Sequence, residues 1–322
     1  MSDIHSKSHH LYTISDLINW QPPHYTSIIH SGILNVKNRM LIFGDEGSWK
    51  SILVLHTAHS IARGSRWLGF DTTACNVLRL QAELPMYIDR ERTVKYCNGS
   101  KSIYLAQNTS NELDAQNIGN ELDKRATTYS YPSNIINRTE QFIHIDESSG
   151  WESLRQDIEN CIIHLPNAPL VVILDPLFKI FNRNLNEETD LKPLLDKIDL
   201  IMEDTKHTPG LSFIIVHHTR KSITDEKGSV IALGSQDATG SRALVRWCDT
   251  ILRVDPDSTD KTLTKVRMTF TKHRNAEDVL PRLTVRWDRT TLHPKILFRV
   301  MPKQESEDEL DSRGDSDLVQ LE

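Results

Sequence analysis

The feature that most constrains the fold is a series of short apolar segments that alternate with helical patterns between residues 39 and 216. Short runs that are almost continuously apolar are typical of strands buried on both faces. The predicted strands are 39–43, 76–81, 142–145, 169–174 and 212–216, and the predicted helices are 50–63, 86–97, 151–164 and 190–205. This order predicts an α/β fold with a mainly parallel central sheet and helices on both faces.

The rest of the chain predicts one domain with additions at both ends. Strand patterns at 249–254, 263–272 and 282–288 predict an antiparallel extension of the same sheet toward the C-terminus. We expect this domain to span residues 29–300, with a polar insertion at about 98–140 that holds a helix near 111–125. An N-terminal arm over 1–28 contains a short helix that ends before Pro22 and Pro23, and an acidic tail covers 301–322.

Composition excludes several classes of protein. Hydrophobic residues make up 38% of the 322 residues and charged residues 25%, which is a globular composition. No apolar run approaches the roughly 18 residues of a membrane-spanning helix, and the first residues lack the apolar core of a secretory signal. The four cysteines are scattered without metal-binding spacing, which predicts free thiols and a cytoplasmic location.

The distribution of charge leaves a nucleic-acid partner open. Residues 304–322 carry eight acidic residues and one arginine, a charge of −7, against −6 for the whole chain. The remaining residues therefore sum to +1, so the acidic total does not argue against binding of nucleic acid by the domain.

The sharpest motif is GDEGSWKS at residues 44–51, between a predicted strand and a predicted helix. This is the position of a Walker A loop, GxxxxGK[ST], whose backbone N–H groups and helix N-terminus bind phosphate. The predicted nucleotide-binding residues are Gly44, Asp45, Glu46, Gly47, Ser48, Trp49, Lys50 and Ser51. In this pattern the lysine faces the β- and γ-phosphates of ATP, and the serine hydroxyl ligates Mg²⁺.

Trp49 departs from the motif, which has its second glycine at this position. A residue that enters a helix can adopt right-handed backbone angles, so we expect Trp49 to be right-handed with its side chain turned away from the phosphates. The indole could also cover the nucleotide.

Three polar residues follow strands that are expected beside this loop. Asp175 directly follows the apolar run LVVIL. In a Walker B strand, the acid at this position holds Mg²⁺ through water. Glu83 follows the strand 76–81, where a carboxylate could polarise an attacking water. His218 follows the strand 212–216, where a polar side chain could contact the γ-phosphate.

Taken together, GDEGSWKS, Glu83, LVVILDP and FIIVHHTRK resemble the RecA-like P-loop ATPases, and most closely the RepA-type hexameric replicative helicases of phages and plasmids. The resemblance spans about residues 30–290. It implies a RecA-like fold, Mg²⁺-dependent ATP hydrolysis, assembly into a hexameric ring and action on single-stranded DNA. It also implies that Lys50 and Ser51 are the Walker A residues, Glu83 the catalytic glutamate, Asp175 the Walker B acid and His218 the γ-phosphate sensor.

The arginine finger, a base that one subunit supplies to the ATP of its neighbour, is not fixed by the resemblance. Direct alignment with the RepA-type pattern places Asp249, and not an arginine, at that position. Arg246 could serve from a shifted turn, and Lys272 and Arg274 are alternatives.

The loops after the Walker B strand and after the sensor strand line the nucleic-acid side of RecA-like proteins. Here they contain the bases Lys179, Arg183, Arg220, Lys221 and Lys227, which could neutralise DNA phosphates.

With this resemblance, the sequence predicts an ATP-hydrolysing protein that acts on DNA, a ring-forming helicase or translocase in the replication or recombination of a plasmid, phage or mobile element. A replication or recombination protein is expected as a further partner of the acidic tail. Two alternatives remain open: a non-motor ATPase switch that loads or regulates a partner, and a nucleotide-binding scaffold with little hydrolysis, as Trp49 suggests.

Overall fold

The computed structural model describes residues 12–21, 27–109, 130–140, 142–164, 167–204, 209–218, 242–257 and 259–301. Residues 302–322 of the predicted tail and the predicted helix near 111–125 lie outside these residues, as do Arg220, Lys221 and Lys227. The helices are α1 Ile14–Asn19, α2 Lys50–Arg63, α3 Met86–Thr109, α4 Ser148–His164, α5 Leu177–Ile180, α6 Glu188–Glu203 and α7 Arg242–Trp247.

Nine strands form one sheet in the order β11-β10-β9-β8-β3-β7-β6-β4-β5, and β1 and β2 form a separate pair. The strands are β1 Ser27–Ile29, β2 Leu34–Asn35, β3 Arg39–Gly44, β4 Asn76–Gln81, β5 Ile135–Thr139, β6 Leu170–Asp175, β7 Leu211–His218, β8 Thr250–Pro256, β9 Lys265–His273, β10 Arg282–Trp287 and β11 Pro294–Val300. From β8 through β3 to β5 all neighbours are parallel, whereas β8 to β11 are antiparallel. The predicted sheet, with its antiparallel extension, is confirmed.

The sheet is buried between two apolar clusters because alternate residues of a strand point to opposite faces. On β3, Met40 and Ile42 pack with α2 and the inner face of the extension. Leu41 and Phe43 pack with α4, α5, α6 and α7 on the other face. Both faces of β3 are therefore apolar, which explains the continuous apolar run in the sequence.

One predicted strand is wrong. Residues 142–145 contain no strand, and the edge strand of the sheet is instead Ile135–Thr139, paired in parallel with β4. Ile143 and Ile145 are buried in a loop, so their apolar character reflects burial without strand pairing. Part of the interval 98–140 thus belongs to the sheet, and residues 98–109 continue α3.

The N-terminal segment has two parts. The predicted short helix is present as Ile14–Asn19, which Thr13 begins with a capping box to Asp16. Ile28 and Ile29 are fully buried in the apolar cluster that lies between the sheet and α2. Within the described residues, no helix is long and apolar enough to cross a bilayer.

Candidate nucleotide site

The candidate site lies at the carboxyl edge of the parallel strands. Gly44 at the end of β3 is level with His218 at the end of β7, and Gln81 at the end of β4 is level with Asp175 at the end of β6. Because β3, β7, β6 and β4 are consecutive in the sheet, the residues that follow them meet at this edge. In open α/β sheets such an edge is the usual place for a ligand.

Two glycines shape the loop between β3 and α2. A Cβ on Gly44 would lie 1.9 Å from the carbonyl oxygen of Val254, so only glycine allows β3 and β8 to approach this closely. Gly47 has a φ of 75°, which is left-handed and favours glycine. Ser48 is buried, and its hydroxyl donates to the carbonyl oxygen of Asp45 at 2.7 Å, which tightens the turn.

Lys50 begins α2 with its side chain folded onto this loop. Its Nζ donates to the carbonyl oxygens of Gly44 at 2.7 Å and Asp45 at 2.6 Å, and to Ser48 Oγ at 3.2 Å. Burial lowers the pKa of Lys50 to about 8, and the nearby Asp175 carboxylate opposes this shift. The ammonium group is held by weak neutral acceptors, so anionic oxygens in the same position would bind it more strongly.

The predicted conformation of Trp49 is wrong. Trp49 has φ 65° and ψ 18°, a left-handed backbone that favours glycine, the residue that the motif has at this position. Its side chain is turned toward the antiparallel extension, where Nε1 donates to the carbonyl oxygen of Leu263 at 2.8 Å. The indole stacks on Trp287, with ring centroids 6.0 Å apart and planes inclined by 5°. These contacts anchor the loop and offset the strain of the left-handed backbone.

Asp175 is fully buried and is connected to a second ion pair. Arg79, one strand away on β4, forms a bidentate pair with Asp89 of α3 at 2.9 and 3.1 Å, and its Nη2 lies 3.9 Å from Asp175 Oδ2. Thr139 also donates to Asp89, at 3.0 Å. Burial raises the pKa of Asp175 to about 6, because the partial compensation by Arg79 is smaller than the loss of hydration.

The predicted magnesium ligands fit that ion. Asp175 Oδ2 is buried and accepts no hydrogen bond from the described residues, so it retains a lone pair for a water or cation. Ser51 lines the same cavity and supplies a hydroxyl oxygen. Oxygen donors beside phosphate are the ligands that Mg²⁺ prefers. No group of three or more His, Cys, Asp or Glu side chains among the described residues forms an alternative metal site.

These residues surround one open cavity of about 670 Å³. Lys50, Ser51, Glu83, Asp175 and His218 all line it, together with Glu46, Gly47, Ser48 and Trp49. The volume is within the range of small-molecule sites. The structure thus brings together the predicted nucleotide-binding, magnesium-binding and water-polarising residues.

His218 is held in an edge-to-face contact with Phe178, with ring centroids 4.9 Å apart. Its pKa is lowered by burial and by the nearby Lys50. His218 is therefore neutral near pH 7 and suited to hydrogen bonding with a phosphate oxygen.

The cavity has two walls that the sequence patterns did not predict. Helix α3 contributes Ile88, Arg92 and Lys95, and the turn after β10 contributes Arg289 and Leu292. Arg289 is positioned by a hydrogen bond to the carbonyl oxygen of Thr262. No local motif marks these residues, because they reach the site only through the packing of α3 and the extension.

Arg246 lies at the opposite edge of the sheet. It is next to Trp247, which packs under Arg39 at the start of β3, roughly 17 Å of strand from Gly44. Arg246 pairs with Glu188 at 2.6 Å, and both side chains are more than half exposed. Within one chain Arg246 is therefore separated from the cavity.

The alternatives to Arg246 have structural partners. Lys272 Nζ donates to the carbonyl oxygens of Val245 and Arg246 at the end of α7. Arg274 pairs with Asp249, which also accepts from the backbone N–H of Arg39. Asp249, the residue at the aligned finger position, thus joins the start of β3 to the extension.

Of the predicted DNA contacts, Lys179 and Arg183 are described and exposed. Both follow β6. Lys179 is near the cavity, because its Nζ is 5.3 Å from the ring centroid of Phe178, which contacts the cavity residue His218. Arg183 is 3.8 Å from Asp146.

Solved structures show the same fold. One of them, the structure of an ATPase domain, matches 87% of this chain and 94% of its own, with a TM-score of 0.54 and 13% identity. "The Structure Of A DnaB-Like Replicative Helicase And Its Interactions With Primase" matches 79% of this chain and 56% of its own, with a TM-score of 0.50 and 13% identity. No curated protein sequence gives a significant match.

Fold and site together define the class of this protein as a RecA-like P-loop ATPase. The AAA domain family (AAA_25) matches residues 5–223, which is more than half of the chain, and the protein belongs to that family.

Proposed function

We propose that the protein hydrolyses ATP with Mg²⁺ and uses the energy to move along single-stranded DNA as a hexameric ring, as in the RepA-type helicases that its motifs resemble. The observation that carries this proposal is the convergence of Lys50, Ser51, Glu83, Asp175 and His218 on one cavity. The context would be replication or recombination of a plasmid, phage or mobile element.

In this proposal each side chain has one role. The phosphates of ATP replace the loop carbonyls as acceptors for Lys50, whose positive charge stabilises the transferred phosphoryl group. Ser51 and Asp175 hold Mg²⁺, which neutralises charge on the phosphates. Glu83 polarises the attacking water, and His218 contacts the γ-phosphate and passes its presence to β7.

Position favours Arg246 as the base that completes a neighbouring site. It is exposed and distant from the cavity of its own chain, whereas Lys272 and Arg274 are engaged in the packing of α7 and the extension. Glu188 would release Arg246 when a second copy presents ATP.

ATP turnover with and without single-stranded DNA tests the proposal. We expect DNA to stimulate turnover, Lys50→Ala to abolish it, and Glu83→Gln to lower it roughly 10²–10⁴-fold with ATP binding retained, as for loss of a general base. Normal turnover in Lys50→Ala refutes the proposal. If only Glu83→Gln is normal, Asp175 or a neighbour such as Asp146 or Glu147 takes its role. A strand-displacement assay distinguishes a motor from a non-motor switch, and negligible turnover in every condition favours a scaffold.

Mixing of subunits tests the shared site. Lys50→Ala and Arg246→Ala should each be inactive alone. A mixed ring contains interfaces at which an intact Lys50 faces an intact Arg246, so mixing should restore part of the activity. If mixing restores none while light scattering shows mixed rings, Arg246 is not the trans-acting base.

A further inference from the structure

The antiparallel strands β9, β10 and β11 present an open outer face, opposite to the face that packs on α2. On this face Lys265, Arg286 and Lys295 are direct partners across three neighbouring strands. The next row contains Arg267, Thr284 and Phe298, and Arg282 is opposite Val300. We refer to these eight residues as the outer face.

The cations of the outer face are only partly neutralised. Lys265 pairs with Asp257 at 3.0 Å. The side chains of Arg267, Arg282, Arg286 and Lys295 are exposed and form no hydrogen bond or ion pair with another described residue. Like charges that face each other across strands destabilise a sheet, so folding alone does not favour Arg286 beside Lys295. The arrangement points to an anionic ligand.

Two exposed apolar side chains lie among these cations. Phe298 is 62% exposed and Val300 58% exposed, although both belong to strand β11. An accessible aromatic ring beside unpaired arginines is the combination that binds single-stranded nucleic acid, because bases stack on the ring while cations contact phosphates.

We propose that the outer face is a binding surface for single-stranded nucleic acid, separate from the loops that follow β6 and β7. This inference rests on the proposed function and extends it. Arg267, Arg282, Arg286 and Lys295 contact the phosphates, and Phe298 stacks on a base. The acidic segment 304–322 follows shortly after β11 in the sequence, so it is the competing occupant that the experiment must distinguish.

Binding of a fluorescein-labelled oligo-dT, measured by anisotropy over a series of salt concentrations, tests the proposal. In the full chain, Arg267→Gln with Arg286→Gln should weaken binding at least tenfold at low salt. The slope of log affinity against log salt should fall by about 1.4, since each phosphate contact on a single strand contributes about 0.7. Phe298→Ala should weaken binding roughly five- to 150-fold with an unchanged slope.

The matched control is Arg155→Gln with Lys192→Gln. It removes the same number of positive charges as the Arg267/Arg286 variant, but from helices α4 and α6. The control and the outer-face variants should retain the DNA-free ATP turnover of the parent chain. The control should also retain its thermal unfolding midpoint, and the midpoint of the outer-face variants should be no lower than that of the parent chain. Parental affinity in the Arg267/Arg286 and Phe298 variants would overturn this inference while leaving the proposed function intact. No binding by the parent chain, with or without residues 302–322, would overturn both.

A third result would identify the acidic segment as the occupant. Removal of residues 302–322 would then leave the affinity for oligo-dT unchanged. The outer-face substitutions would increase the hydrodynamic radius of the full chain but not that of the chain without residues 302–322. That outcome contradicts the nucleic-acid proposal. Stronger binding after the deletion, lost again on Arg267→Gln with Arg286→Gln, supports it.

Discussion

Replacement of Trp49 by glycine, the residue that the Walker A pattern has at this position, should destabilise the protein. Two contributions of opposite sign decide the result. Glycine relieves the left-handed backbone, which costs a residue with a side chain about 1–2 kcal/mol. The substitution also removes the indole from its contacts with Trp287 and Leu263.

The contacts outweigh the strain. Truncation of a fully buried aromatic residue costs about 3–5 kcal/mol, and roughly half of that applies to the partly buried Trp49. Loss of the hydrogen bond to Leu263 adds about 1 kcal/mol. The total is about 3 kcal/mol, so the free energy of unfolding should fall by a net amount of about 1–2 kcal/mol.

Urea denaturation followed by far-ultraviolet circular dichroism measures this change. Trp49→Phe is the control: it keeps the ring on Trp287 and loses only the hydrogen bond, so its loss should be about 1 kcal/mol. A double-mutant cycle of Trp49→Gly with Trp287→Leu should give a coupling of about 0.5–1.5 kcal/mol, the range for a stacked aromatic pair.

The sign of the change makes the test decisive. If Trp49→Gly is more stable than the parent protein, relief of backbone strain outweighs the contacts of the indole, and its role as an anchor is refuted. Additive effects of the Trp49 and Trp287 substitutions would show that the two rings do not stabilise each other.

Three further predictions follow from the same site. Because the folded-state pKa of Asp175 is about 6 and thus above its unfolded value, the free energy of unfolding should fall as pH rises from about 4 to 6. Asp175→Asn should remove this pH dependence and be more stable than the parent protein by about 3 kcal/mol at pH 7. Urea denaturation over this pH range measures both effects. Arg79→Gln leaves Asp89 without its buried cation and should cost about 3–5 kcal/mol, part of which Asp89→Asn should restore in the double variant; no recovery would contradict the pairing. Since Trp49 lines the cavity, ATP should change the tryptophan fluorescence of the parent protein more than that of Trp49→Phe, and equal responses would place the nucleotide away from the indole.

The strands that the sequence predicted best are those buried on both faces. Continuous apolar runs identified β3 and β6, because every residue of 40–43 and of 170–174 is buried in one of the two clusters. The edge strand β5, with the sequence IINRT, is only partly buried and gives no such run. Residues 142–145 resembled a strand because burial of Ile143 and Ile145 in a loop produces the same alternation.

The same distinction applies to the candidate site: residues that follow buried strands could be predicted from the sequence, and residues that depend on contacts between distant elements could not. Asp175, His218 and Glu83 each follow a predicted strand, so their meeting point follows from the parallel sheet. Arg79 and Arg289 act through partners on other elements, which no local pattern specifies. The backbone of Trp49 was mispredicted because its anchor, Leu263, is 214 residues away in the sequence.

The central position of β3 has a consequence for synthesis of the protein. Among the strands that the structure describes, β3 pairs with β7 and β8 alone, and the backbone N–H of Arg39 donates to Asp249, 210 residues later in the sequence. The loop 44–51 and strand β3 therefore leave the ribosome long before the sheet neighbours of β3 have been synthesised. During that interval, the apolar residues of β3 have no strand to pair with and are open to aggregation. We expect premature termination before β8 to yield aggregated protein, and chaperones to bind nascent chains most strongly until residue 256 has emerged.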